Sequence, residues 1–185
     1  MKLVVSEFVT LDGVMEDPGG SEGFAQGGWA FRFDRGPEGD QFKLDELRAS
    51  DALLLGRRTY EGFAAAWPNR PEDEFSVKFN TMRKYVVSST LGRADWANST
   101  IIHDHIVDEI ARLKQQPGGD LLVNGSAQLV QLLTANNLVD EYRLMIFPVV
   151  LGGGKRLFGD ALEPTPLRFV SSRPAGAVVI VTLQP

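Results

Sequence analysis

A chain of 185 residues, 43% hydrophobic and 23% charged, has an ordinary globular composition and length enough to bury a core. A net charge of −5 with no long basic run speaks against a nucleic-acid groove, and no apolar stretch approaches membrane length. The lack of any cysteine excludes disulfides, thiol catalysis and thiolate-held metal, and it suits a cytoplasmic setting.

The start of the chain lacks the apolar core and cleavage site of a signal peptide, and no repeat or low-complexity linker divides the sequence. A single domain over residues 1–185 is therefore expected. Leu3 to Val9 is apolar and β-branched, broken only by Ser6 and Glu7, and reads as a first strand. Leu11-Asp12-Gly13 turns it. Asp17 to Gly28 is dense in glycine and reads as a long loop, the kind that serves as a lid or binding loop. Trp29 and Phe31 close it. Glu38 to Ala49 reads as a helix with Pro37 near its start.

Asp51 to Gly56 is a second strand, apolar enough to be covered on both faces. Arg57-Arg58-Thr59 follows at once. Tyr60, Phe63, Ala64 and Trp67 then recur at helical spacing until Pro68. Glu74 to Met82 fits another helix. Tyr85 to Val87 is a third strand ending in Ser88-Ser89-Thr90, and Thr100 to Ile102 is a short fourth. Asp104 suits the N-cap of a helix carrying Ile106, Ile110 and Leu113 on one face. His103 and His105, the only histidines, have no third ligand spaced nearby, so no metal site is expected.

Residues 120–133, DLLVNGSAQLVQLL, give a short strand, a tight Asn124-Gly125-Ser126 turn and a helix with Leu129, Leu132 and Leu133 on one side. Such a turn aims free N–H groups and the positive end of a helix dipole into one crevice, which suits a phosphate. Gly125 lets backbone approach a ligand, and Ser126 can cap the helix or donate to a phosphate oxygen. Asn-Gly-Ser can equally be a plain strand-to-helix turn. Glu141 to Val150, the loop Leu151 to Lys155, and strands over 167–172 and 177–183 complete the chain, with Pro174 and Gly176 in the last turn.

Alternating strands and helices imply an α/β sheet, mostly parallel, with an antiparallel final pair. Ligands in such folds sit beyond the carboxyl ends of the strands. Asp12-Gly13, Gly56-Arg57-Arg58-Thr59, Ser88-Ser89-Thr90 and Asn124-Gly125-Ser126 all follow strands. If these strands run parallel, two arginines, several hydroxyls and a helix N-terminus share one edge. That chemistry suits an extended anionic ligand with more than one phosphate.

The succession GRRTYEGF (56–63), YVVSST (85–90), LLVNGSAQLVQLL (121–133) and DEYRLMIFPVVLGGGKRLF (140–158) resembles the dihydrofolate reductase-like superfamily. Within it, the chain is most similar to the RibD C-terminal reductase domain of riboflavin biosynthesis and its stand-alone relatives. FPVVLGGGKRLF is the most specific element of the likeness. The resemblance implies a three-layer αβα sandwich around a mixed, mostly parallel sheet of about eight strands, a homodimer, and NADPH as cofactor. By the same resemblance, Gly56, Arg57, Arg58 and Thr59 grip cofactor phosphates. Ser88 and Ser89 approach the adenosine ribose and its 2′-phosphate, and Asn124, Gly125, Ser126 and Ala127 take the pyrophosphate. The loop at Gly153 can approach nicotinamide or substrate, or be a flexible turn into Lys155 and Arg156. No zinc deaminase signature can exist without cysteine, so the chain is not expected to be the bifunctional deaminase–reductase.

The resemblance further implies hydride transfer to a pteridine-, pyrimidine- or flavin-related heterocycle, as in dihydrofolate or 5-amino-6-(5-phosphoribosylamino)uracil reduction. The alternative on the same fold is a nucleotide- or flavin-binding module without turnover. On the substrate side, Asp12 can orient substrate or deliver a proton through water, or be a plain turn carboxylate. Trp29 can stack on a flat heterocycle or simply pack. The carboxylates of the first helix, Asp40, Asp45 and Glu46, sit in no context that matches the folate enzyme.

Overall fold

The computed structural model describes residues 1–159 and 162–185. The strands are β1 (Leu3–Thr10), β2 (Ser50–Gly56), β3 (Arg83–Val87), β4 (Ser99–Ile102), β5 (Asp120–Val123), β6 (Glu141–Phe147), β7 (Arg168–Ala175) and β8 (Val178–Gln184). They form one sheet in the order β4-β3-β2-β5-β1-β6-β8-β7. The first six in that row are parallel, and β8 and β7 pair antiparallel at one side. Around the sheet lie α1 (Gly36–Ala49), α2 (Arg57–Ala66), α3 (Glu74–Thr81), α4 (Ile106–Gln115) and α5 (Ala127–Ala135). Among the described residues, no helix is long and apolar enough to cross a membrane.

The continuous apolar runs of the parallel strands have a simple cause, because both faces are covered. Leu3, Val5, Leu54, Leu121 and Val123 pack on Ile110 and Leu113 of α4 and on Leu129, Val130 and Leu133 of α5. Their neighbours Val4, Leu53, Leu55 and Leu122 point the other way, onto Leu47 of α1, Tyr60 of α2 and Phe79 of α3. Each such fully buried side chain contributes about 1.5–3 kcal/mol relative to exposure. The result is the mixed, mostly parallel three-layer α/β sandwich that the alternation predicts.

Three local expectations change. Asp104 does not cap α4; His105 occupies the N-cap position in a left-handed conformation, φ 45°, with no side-chain cap. Asp108 and Glu109 supply the negative charge that the first turn favours. Pro174 lies inside β7 rather than in the turn, which an edge strand tolerates because one flank needs no donor. β6 stops at Phe147, before Pro148, so the strand does not reach Val150.

One feature of the register shapes the site. β1 pairs with β5 only at Leu3↔Leu121, Val4↔Leu122 and Val5↔Val123. The chain then leaves β5 into Asn124–Ser126, while β1 runs on to Thr10 with β6 alone beside it. The flank of β1 from Ser6 onward therefore has no strand beside it and is met instead by Asn124 and Gly125.

Candidate cofactor-binding site

Because β1, β2, β3 and β5 are parallel, the four segments named from the sequence do follow strand ends on one edge. The turns after β2 and β5 touch. A Cβ built on Gly56 would lie 2.3 Å from Ser126 Oγ, and one built on Gly125 would lie 2.5 Å from Thr59 Oγ1. Gly125 also has φ 72°, in the region that favours glycine. A side chain at either glycine would displace the hydroxyl that faces it, and at Gly125 it would also strain the backbone.

Those two helix starts differ from the others. The first turns of α1, α3 and α4 carry acidic residues, whereas those of α2 and α5 carry none. Their first N–H groups lack intrahelical partners, and no acidic residue of their own first turns faces the positive dipole ends. Ser126 stands at the N-cap of α5, yet its side chain makes no capping bond, contrary to one sequence reading. Its Oγ lies against Gly56 instead. Ala127 is buried as the first residue of the helix.

The flanking polar groups are partly tethered. Arg57 Nε pairs with Glu61 at 2.8 Å, and its Nη1 donates to Thr90 Oγ1 at 2.8 Å, bridging α2 to the turn after β3. Arg58 is exposed and makes no hydrogen bond or ion pair among the described residues. Ser88 is buried, and its Oγ accepts from the N–H groups of Thr90 and Leu91 at 3.2 and 3.0 Å. That hydroxyl still has its own proton to donate. Ser89 is exposed. Gly153 sits in an open stretch with nothing within 4 Å of a built Cβ.

The substrate-side candidates are engaged elsewhere. Thr10 Oγ1 donates to Asp12 at 2.6 Å, and the Leu151 and Gly152 N–H groups donate to it at 3.3 and 2.8 Å. The Thr10 hydroxyl, with these backbone donors, holds the carboxyl down at about 2. A carboxylate so ionised does not deliver protons near neutrality; Asp12 ties the end of β1 to the glycine loop. Trp29 is wholly buried, donates from Nε1 to Glu16 O at 2.9 Å, and meets Phe147 edge-on with centroids 5.3 Å apart. It offers no free face for stacking, so its place is packing. Phe31 next to it is 79% exposed. Asp17, buried, gathers the long loop by accepting from Ser21, Glu22 and Phe24 N–H groups.

The sequence reading missed a polar cluster along the open flank of β1. Ser6 Oγ donates to Glu46 Oε2 at 2.9 Å, Lys43 Nζ lies 2.7 Å from Ser6 Oγ and 2.5 Å from Glu46 Oε2, and Asn124 Nδ2 donates to Ser6 O at 2.8 Å. Glu46 Oε1 is buried with no partner among the described residues. Glu7, pointing to the other face, accepts the Gly125 N–H. Burial pushes its carboxyl up to about 8, against the opposing pull of that N–H and of Lys43. The available signal was the pair Ser6-Glu7 interrupting an otherwise apolar strand.

Comparison with known proteins places this geometry. The family model of the RibD C-terminal domain matches residues 1–181. The uncharacterized Bacillus subtilis (strain 168) proteins YyaP and YwjB are 32% and 29% identical. Those matches cover 97% and 96% of this chain and 93% and 94% of the relatives. The fold superimposes on a Shewanella sp. PV-4 structure ascribed to riboflavin biosynthesis with TM-score 0.78 and 22% identity, over 100% of this chain and 98% of that one. Enterococcus faecalis dihydrofolate reductase, complexed with NADP(H), gives TM-score 0.64 and 16% identity over 99% and 95%. The sandwich is therefore dihydrofolate reductase-like.

Proposed function

The chain belongs to the RibD C-terminal domain family, and from that footing we propose that it is an NADPH-dependent reductase of a pteridine-, pyrimidine- or flavin-related heterocycle. The observation that carries this reading is the meeting of the β2–α2 and β5–α5 turns, where Cβ atoms on Gly56 or Gly125 would fill the space. Gly56, Arg57, Arg58 and Thr59 with Asn124, Gly125, Ser126 and Ala127 would hold the diphosphate. Ser88, Ser89 and one arginine would meet the adenosine ribose and 2′-phosphate, with Gly153 in the loop beside the nicotinamide. NADPH when bound supplies the hydride. The chain's own part is to neutralise phosphate charge through two helix starts and two arginines, and to exclude water along β1. NADP(H) in the dihydrofolate reductase relative, and the riboflavin assignment of the Shewanella protein, support the cofactor and a substrate of riboflavin biosynthesis. We place the activity in the cytoplasm, in keeping with a cysteine-free chain.

The second reading, a nucleotide- or flavin-binding module without turnover, draws on Asp12 and Trp29, both occupied with structure. A thermal-shift panel of NADPH, NADH, FMN and FAD, followed by NADPH oxidation with pteridines and aminouracils, separates the two. The reductase reading expects the largest stabilisation from NADPH and oxidation with at least one heterocycle. Binding without oxidation favours the module; stabilisation by FMN or FAD alone contradicts both the cofactor and the reductase.

The same reading includes a homodimer. β7 is one edge of the sheet and exposes Phe169 and Val170, 70% and 46% accessible, where its register with β8 shifts. Light scattering should give about twice the 20.3 kDa chain mass; a value at the chain mass refutes the dimer.

A further inference from the structure

Glu7 is the one carboxylate rooted in the open flank of β1. Its side chain crosses to the β5–α5 turn and accepts the N–H of Gly125, the residue at which a side chain would displace the Thr59 hydroxyl. It lies 9% exposed on the face shared with Val5 and Val9, where its β6 neighbour is Leu144. The charged groups that influence it are Lys43 and Glu46 of α1, which pack with Ser6 on the opposite face of the sheet, and Glu22 of the long loop; the turn itself offers only Asn124 and Ser126. Lys43 is already committed to Ser6 and Glu46.

We infer that Glu7 is a proton-linked positioning residue of the diphosphate turn: it holds Gly125 in place and takes up a proton when an anionic dinucleotide docks on that turn. The inference rests on the cofactor reading above. A protonated carboxyl still accepts the Gly125 N–H through its carbonyl oxygen, so protonation leaves the turn intact. An ionised carboxylate beside a bound diphosphate is a like-charge contact in a poorly solvated place, which favours the neutral acid. Burial already holds Glu7 up at about 8, so near that pH the free protein is a mixture of both forms. Docking of negative charge draws the remainder to the acid, and by linkage affinity then falls as pH rises.

The test is calorimetric titration of the full chain with NADPH, and separately with NADH, in two buffers of different ionisation enthalpy near pH 8. Wild type should take up a measurable fraction of one proton with either nucleotide, since both carry the diphosphate. Its affinity should weaken between about pH 7 and 9, by no more than about tenfold per pH unit for one linked proton. Glu7→Gln, which keeps an acceptor for Gly125 without a titrating group, should bind as wild type does at the lower pH and show neither uptake nor slope. A merely structural Glu7 would leave wild type without uptake, and that result overturns the inference while the cofactor reading stands. Uptake with NADPH alone assigns the proton to the 2′-phosphate and also overturns it, as does uptake that survives in Glu7→Gln. Failure of wild type to bind either nucleotide sinks the cofactor reading itself and this inference with it.

Discussion

Two sides of the carboxyl edge of the sheet are built differently. On the cofactor side, the turns after β2 and β5 approach through glycine, two helix starts carry no acidic residue, and Arg58 has no partner among the described residues. On the β1 side, Asp12, Asp17 and Trp29 are each consumed by internal contacts that fix the long loop and the glycine loop to the strand end. The first side leaves Arg58 unpaired among the described residues; the second is scaffold. Residues that look equally functional in sequence thus differ in whether their polar groups remain available.

That contrast can be broken by substitution. Trp29→Ala removes a fully buried indole and its edge contact with Phe147, and should cost about 3–5 kcal/mol of folding stability. Denaturant unfolding checks it. A stable Trp29→Ala protein that has lost only turnover would return Trp29 to the substrate site. The smaller effect belongs to Asp12→Asn. The partly exposed carboxylate loses charge-assisted bonds, worth under about 1 kcal/mol after solvent screening. Its folded-state value is held below the unfolded one, so the unfolded chain binds more protons. The stabilisation is then present above about pH 4 and disappears as the pH falls through about 2. The stability gap between wild type and Asp12→Asn should close over that acid window; a gap that persists there shows that Asp12 contributes packing rather than charge.

Much of this was legible in the sequence because it is written in local signals. Leu53-Leu54-Leu55 and Leu121-Leu122-Val123 announce covered strands, and the glycine at 125 announces close backbone approach. Other features depend on partners far away in the chain. Asp12 is a turn carboxylate because Gly152, distant in sequence, donates to it. Trp29 is buried because Phe147 ends β6 beneath it. Glu7 and Ser6 appear only as flaws in an apolar strand until β5 stops at Val123 and opens the flank they occupy. His105 displaces Asp104 at the start of α4 through a left-handed backbone that no spacing rule indicates.

The central claim is that the edge carrying Gly56–Thr59, Ser88–Ser89 and Asn124–Ala127 is an NADPH site. The direct measurement is calorimetry of NADPH against NADH for wild type, Arg57→Ala and Arg58→Ala. A hydrogen bond to a charged group contributes about 1.5–3 kcal/mol, so one lost arginine contact should weaken binding roughly ten- to a hundredfold. The account predicts that wild type prefers NADPH, and that at least one variant loses NADPH affinity with NADH nearly unchanged and with less sensitivity to salt. Equal binding of the two cofactors by wild type, or equal loss of both in both variants, contradicts it.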